Sequence, residues 1–233
     1  MHPALEALVE YAVFPPDARR RVTPATSEPF RYVCHLMTIS AGPGGAQQRR
    51  VGTGTLIAPN KVLTAAHHVR NAQFVSVAPG KDGASEPFGH AMASRIDVPR
   101  EFASGSAVAA YDFAVLTLTR DLGAQPGLGH WRHVSTLPDR VLSAGLVSVA
   151  GYPRDQGSSH LYVAEGLLTG VRPEQLEYRI ATDTGQSGGP IWLTHDGRPT
   201  LVGLHRASVA GRFNAGVRLT PRKLLMIRTW VRS

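Results

Sequence analysis

Short apolar runs set off by glycine, proline and asparagine recur from Arg31 to near the end of the chain. Residues 32–39, 52–58, 62–64, 74–77 and 113–118 form a first set, and residues 134–136, 146–151, 161–169, 176–181, 189–193, 200–204 and 216–219 a second. Runs this short bury one face of a strand without reaching the length of a core helix, so they predict an all-β protein made of antiparallel barrels. Between them, residues 40–50 read as a polar hairpin tip, and residues 80–87 and 101–107 as surface loops. Two helical patterns stand outside this scheme. Leu5, Leu8 and Val9 share one helical face and predict a short N-terminal helix; Pro221 opens an amphipathic segment, residues 222–231, whose Leu224, Leu225 and Ile227 are expected to cover the second barrel.

This pattern divides the chain into an N-terminal extension (1–16), a first barrel (17–120), a linker rich in glycine and proline (121–130), a second barrel (131–220) and a C-terminal helix (221–233). With 233 residues, 42% of them apolar, the chain can bury one two-lobed core better than several independent ones. The formal charge is +8, and every basic residue except Lys61, Lys81 and Lys223 is arginine. These charges are scattered and form no run interleaved with aromatics, so no nucleic-acid partner is expected, although a basic surface attracts acidic segments. No stretch reaches the ~18 apolar residues of a membrane span. The first eleven residues carry two glutamates and no positive leader, which does not read as a secretory signal.

Chemistry concentrates in the stretch Thr182-Asp183-Thr184-Gly185-Gln186-Ser187-Gly188-Gly189-Pro190, a glycine-rich turn that holds one serine and runs into an apolar strand. A serine hydroxyl attacks a carbonyl only if a base takes its proton and donors await the developing oxyanion. Gly185 tolerates backbone angles that aim its own N–H and that of Ser187 into one anion-binding concavity. The alternative is a tight turn with an incidental serine. A base and an orienting acid are available upstream: His67 follows Leu63-Thr64-Ala65-Ala66, and Asp112 stands at the mouth of the buried run 113–118. The neighbouring His68 invites a metal reading, but adjacent residues on an extended chain point to opposite sides and no further ligand cluster lies nearby, so no metal is expected. Cys34 has no histidine–glycine context and reads as a small core residue.

These three segments, in the order His, Asp, Ser, resemble the chymotrypsin-like serine endopeptidases, and within them the bacterial glutamyl endopeptidase branch. The resemblance implies two six-stranded antiparallel β-barrels and a serine endopeptidase that hydrolyses protein or peptide substrates through an acyl-enzyme, without a cofactor. It assigns His67 as general base, Asp112 as its orienting partner, Ser187 as nucleophile, and the N–H groups of Gly185 and Ser187 as the oxyanion hole. Residue Ala181, where trypsin relatives carry a carboxylate, argues against Arg or Lys specificity. Thr182 and His205 match the pair that recognises a substrate carboxylate in glutamyl endopeptidases, with an imidazolium adding charge; cleavage after Glu, or Asp, follows. Arg206, Ala207 and Ser208 are expected to pair with the extended substrate backbone. An apolar specificity, or a latent peptide-binding module on a protease scaffold, are the alternatives.

Relatives of this kind have a pro-segment removed near the place of Tyr11-Ala12, beside Glu10, so residues 1–11 are either a removable or regulatory extension or a stable helix on a barrel. Gln186 replaces the aspartate that captures a new N-terminus in trypsin relatives, which leaves any latency to residues 1–11 or to a regulatory partner of a monomeric enzyme. Secreted relatives commonly carry a disulfide at the positions of Gly52 and His68, and both partners are absent here. That coordinated loss, with a lone Cys34, leads to the expectation of a bacterial cytoplasmic location, with secretion as the alternative.

Overall fold

The computed structural model describes residues 8–9, 13–105, 109–209 and 212–233. Two short strands, β1 (Leu8–Val9) and β2 (Arg20–Arg21), precede a first barrel of β3 (Val33–Ala41), β4 (Gln47–Ala58), β5 (Lys61–Thr64), β6 (Ala72–Pro79), β7 (Ala91–Asp97) and β8 (Ala114–Leu118). The ring runs β3-β4-β5-β8-β7-β6 and closes on itself, every pair antiparallel. The second barrel comprises β9 (Leu146–Gly151), β10 (Tyr162–Val171), β11 (Gln175–Tyr178), β12 (Pro190–His195), β13 (Arg198–Val209) and β14 (Phe213–Arg218), closed by the β13–β14 pairing. Helices are few: α1 (Ala66–Val69), α2 (Arg100–Ala103), α3 (Asp139–Ala144) and α4 (Pro221–Arg232).

Alternation fixes which face of each strand turns inward. Along β3, Cys34, Leu36 and Thr38 are buried while His35, Met37 and Ile39 are only partly so, as a two-residue period requires of a strand with one wet face. The second barrel has its own interior around Val147, Val149, Tyr178, Ile191 and Val202. A larger cluster fills the first barrel and continues across the seam through Trp131, Trp192, Leu201 and Leu204. Aromatic edges lock that seam: Trp131 meets Trp192 at 5.4 Å and Tyr32 at 6.1 Å between ring centroids, and Phe30 meets Trp192 at 6.0 Å, all edge-on.

Several expectations are corrected. Leu8 and Val9 form a strand, not a helix: they pair antiparallel with Ser208 and Val209 on β13, while Leu5 lies outside the described residues. β4 begins at Gln47, inside the expected loop, because β3 offers it a continuous partner out to Ala41. Strand β7 escaped the pattern, since Ala91-Met92-Ala93-Ser94-Arg95 is small and polar with little inward periodicity. Residues 134–136 contribute only a single bridge, Val134 to Leu201. In α4, capped by the Thr220 hydroxyl on the Lys223 N–H, Leu224 and Ile227 are buried but Leu225 is 67% exposed. The helix also reaches the first barrel: Trp230 packs on Phe113 at 5.8 Å, and its carbonyl accepts from Lys61 Nζ at 3.0 Å.

Candidate active site

The serine turn is held from both barrels. Thr53 of β4 donates its N–H to Ser187 O (3.0 Å) and its hydroxyl to Gly185 O (2.7 Å), while Tyr152 N–H donates back to Thr53 Oγ1 at 3.1 Å. From the second barrel, Gly188 N–H donates to His205 O and His205 N–H to Gly189 O, both at 2.8 Å. Gly185 sits at φ +95°, where a Cβ would lie 2.3 Å from Tyr152 O, so both conformation and space demand glycine. Among the described residues the N–H groups of Gly185 and Ser187 donate to no main-chain acceptor. Ser187 Oγ donates to Arg206 O at 3.2 Å.

His67 and His68 lie in α1, not on an extended chain, so their side chains part by a helical step. His67 turns to Asp112 and makes a two-point contact: its N–H donates to Oδ1 at 2.8 Å, and Nδ1 lies 2.6 Å from Oδ2. Asp112 is buried, whereas His67 presents its ring to a cleft of about 410 Å³ that Ser187 also lines. His68 turns to Gly52 and fills the space there, its Nε2 standing 2.3 Å from where a Cβ on residue 52 would be. Burial pulls the His68 imidazole down to about 3, with the charges of His67 and Arg50 adding to it, so it is neutral at pH 7.

Thr182 and His205 are both buried, and among the described residues Thr182 Oγ1 and His205 Nε2 have no hydrogen-bond partner. The other ring nitrogen, Nδ1 of His205, lies 2.6 Å from the Tyr178 hydroxyl. Burial lowers His205 to about 3, reinforced by Arg206 and His67, and raises Tyr178 well above its usual range. A neutral imidazole beside a protonated phenol accepts at Nδ1 and carries its hydrogen on Nε2. The imidazolium expected from sequence is therefore replaced by a neutral donor. Arg206, Ala207 and Ser208 follow on β13, all buried, and the edge at Ser208 is occupied by Val9 of β1. Burial also lowers the Arg206 guanidinium, and Asp112 and Tyr178 are its electrostatic neighbours.

Two residues that shape the site were not singled out from sequence. Thr53 was hidden inside a run of alternating glycine and threonine, where nothing local distinguishes the hydroxyl that bridges the barrels. Tyr178 ends the short strand β11, and its link to His205 spans 27 positions.

Two closed six-stranded barrels around a serine turn and a buried carboxylate–histidine pair define a trypsin-like serine protease. The model of the trypsin-like peptidase domain matches residues 52–204, and the chain belongs to that family. It is a serine endopeptidase that acts on protein or peptide substrates, and it is similar to glutamyl endopeptidases. The chain is 27% identical to the glutamyl endopeptidase of Bacillus licheniformis over 230 residues, covering 93% of this chain and 68% of that protein. A Bacillus subtilis protein named extracellular metalloprotease is 25% identical over 97% of this chain and 72% of its own length. Among solved structures, a Glu endopeptidase in complex with MPD superposes with a TM-score of 0.81 at 26% identity, covering 95% of this chain and all of the other.

These relatives overturn the expected cytoplasmic location: the homologous glutamyl endopeptidases are extracellular enzymes, and nothing supports a cytoplasmic address. The reasoning from the absent disulfide failed for a physical reason. Where the relatives' cross-link was expected, the His68 ring packs against Gly52, so the site is filled by an imidazole and says nothing of the redox compartment.

Proposed function

We propose that the chain hydrolyses peptide bonds after glutamate, or aspartate, with His67 as general base, Asp112 as its orienting acid and Ser187 as nucleophile. The observation that carries the acidic preference is the pair of buried, unpartnered polar atoms, Thr182 Oγ1 and His205 Nε2. Leaving a buried donor unsatisfied costs about 1–3 kcal/mol, a penalty that a substrate carboxylate accepting from both would relieve. Tyr178 fixes the His205 tautomer that donates, and Arg206, whose guanidinium is near His205 and Asp112, supplies the positive charge that a neutral imidazole lacks. Ala181 adds no opposing carboxylate.

In this mechanism Ser187 Oγ leaves Arg206 O, passes its proton to His67 Nε2 and attacks the scissile carbonyl. The N–H groups of Gly185 and Ser187 receive the oxyanion. His67 returns the proton to the departing amine, the acyl-enzyme forms, and water repeats the sequence in reverse order. Arg206 O, once released by Ser187, and the backbone of Ala207 and Ser208 pair with the acyl side of the substrate by strand addition. Because β1 takes the same edge at Ser208, residues 1–11 act as a removable segment that competes with substrate.

The test is digestion of a mixed peptide library by the chain and by Ser187→Ala, with every new terminus mapped by mass spectrometry. Cuts after Glu or Asp that vanish in the variant are expected. Cuts after apolar residues would refute the Thr182/His205 assignment, and cuts that persist in the variant would refute Ser187.

A further inference from the structure

The cleft at Ser187 has a second wall with its own charge. Besides His67 and Ser187 it is lined by Arg49, Arg50 and Val51 of β4 and by Arg154. None of Thr182, His205, Arg206, Ala207 or Ser208 borders it. A peptide held on β13 by its acyl side and attacked at Ser187 must therefore send its leaving side through this cleft. Arg154 is anchored there through its main chain, its N–H donating to Thr184 O at 2.7 Å, so its position is tied to the serine turn itself.

The three guanidiniums have no carboxylate among the described residues. Arg49 meets Met37 Sδ at 3.0 Å and Arg50 meets Gln48 Oε1 at 3.3 Å, both weak neutral partners. The nearest acid in sequence to Arg154, Asp155, is instead held by Arg19 at 3.0 and 2.5 Å. Among the described residues no aspartate or glutamate lines the cleft. Three arginines lining one solvent-filled groove, with no carboxylate set against them, give it a positive potential.

The geometry points to a leaving-side subsite, formed by Arg49, Arg50 and Arg154, that selects substrates with acidic residues just after the scissile bond. This deepens the proposed function and rests on its assignment of Ser187 and of the β13 edge. The natural substrate class is then an acidic segment with carboxylates on both sides of the cut, not an isolated glutamate.

The experiment separates the two halves of the substrate. Nitrophenyl esters of N-acyl glutamate, aspartate and phenylalanine acylate Ser187 with no leaving-side residue present. Dipeptide amides added as nucleophiles then compete with water for the acyl-enzyme, and the product ratio reports the leaving side alone. Capture by Ala-Glu-amide or Glu-Glu-amide is expected to exceed capture by Ala-Ala-amide by about fivefold, and Ala-Lys-amide to be the poorest. The difference should shrink towards unity at 1 M NaCl. Arg50→Ala combined with Arg154→Ala is expected to abolish the acidic advantage while the Ala-Ala-amide ratio moves less than about twofold. Equal capture of acidic and neutral amides, or an advantage that survives replacement of all three arginines, overturns the proposal. Acylation without a glutamate preference would sink the Thr182/His205 assignment and leave this one standing; no acylation by any ester would sink Ser187 and this inference with it.

Discussion

Thr53 shows how much of the site depends on one hydroxyl that never meets the substrate. Its Oγ1 donates to Gly185 O and accepts from Tyr152 N–H, and both partners are buried. Thr53→Val keeps the shape and orphans both groups, at an expected cost of about 2–5 kcal/mol of stability. Because Gly185 would lose its anchor, kcat should fall by roughly one to two orders of magnitude with little change in KM. Steady-state kinetics beside a denaturant melt would measure both, and a variant that loses stability but keeps kcat would show the link to be structural only. Tyr178 acts one step further out. Tyr178→Phe removes the donor to His205 Nδ1 and frees the tautomer, so kcat/KM for glutamyl substrates should drop about tenfold while that for neutral substrates barely moves.

At the scale of elements, α4 gives a sharp contrast. Ile227→Ala empties part of the shared core and should cost about 2–4 kcal/mol, whereas Leu225→Ala, on the exposed face, should be close to neutral. Thermal melts of the two variants would decide; equal effects would mean that the helix packs differently in solution. The strands that sequence predicted best are those whose own residues carry the burial, such as β9, whose run of Val147, Ser148, Val149 and Ala150 is buried throughout. The elements it missed borrow their order from a partner. β7 is recruited by β6 and β8, and Leu8–Val9 takes its extended form from the edge of β13, which no local periodicity can reveal. The site divides in the same way. The serine turn, His67 and Asp112 stand in motifs with a chemical rationale, but the contact of His67 with Asp112 joins positions 45 apart. That His205 is a neutral donor follows from its burial and from Tyr178, which sequence does not bring together.

The whole molecule carries a pH signature from histidines held neutral by their surroundings. Burial is the leading cause in each: His35 is lowered to about 4, with Lys81 contributing, and His68 and His205 to about 3. In the unfolded chain all three titrate near 6.5. Above that pH neither state binds the proton and the groups contribute nothing. As pH falls from about 6.5 towards 4 the unfolded chain takes up protons that the folded chain refuses, so stability decreases. Each histidine adds up to about 1.4 kcal/mol per pH unit to that slope. Denaturant midpoints should stay level from about pH 7.5 to about 6.5 and fall from there to about pH 4.5, and His35→Gln should flatten the decline by one proton's worth; a flat profile in the parent chain would contradict the neutral state of these rings.

On the proposed reading, in which β1 and substrate share the edge of β13, the chain is its own competitor and the competition is unimolecular. Blocking strand and blocked edge travel together, so the fraction of open edges does not change on dilution, whereas a free inhibitor would leave as its concentration falls. A peptide substrate meets an apparent affinity reduced by the fraction of open edges, while the turnover of molecules already loaded is untouched. Removal of residues 1–11 is expected to lower KM several-fold, on the order of the ratio of closed to open edges, at constant kcat. Progress curves of the full chain at nanomolar and micromolar protein should superimpose once time is scaled by enzyme concentration. Upward curvature confined to the higher concentration would mean instead that one molecule releases the next.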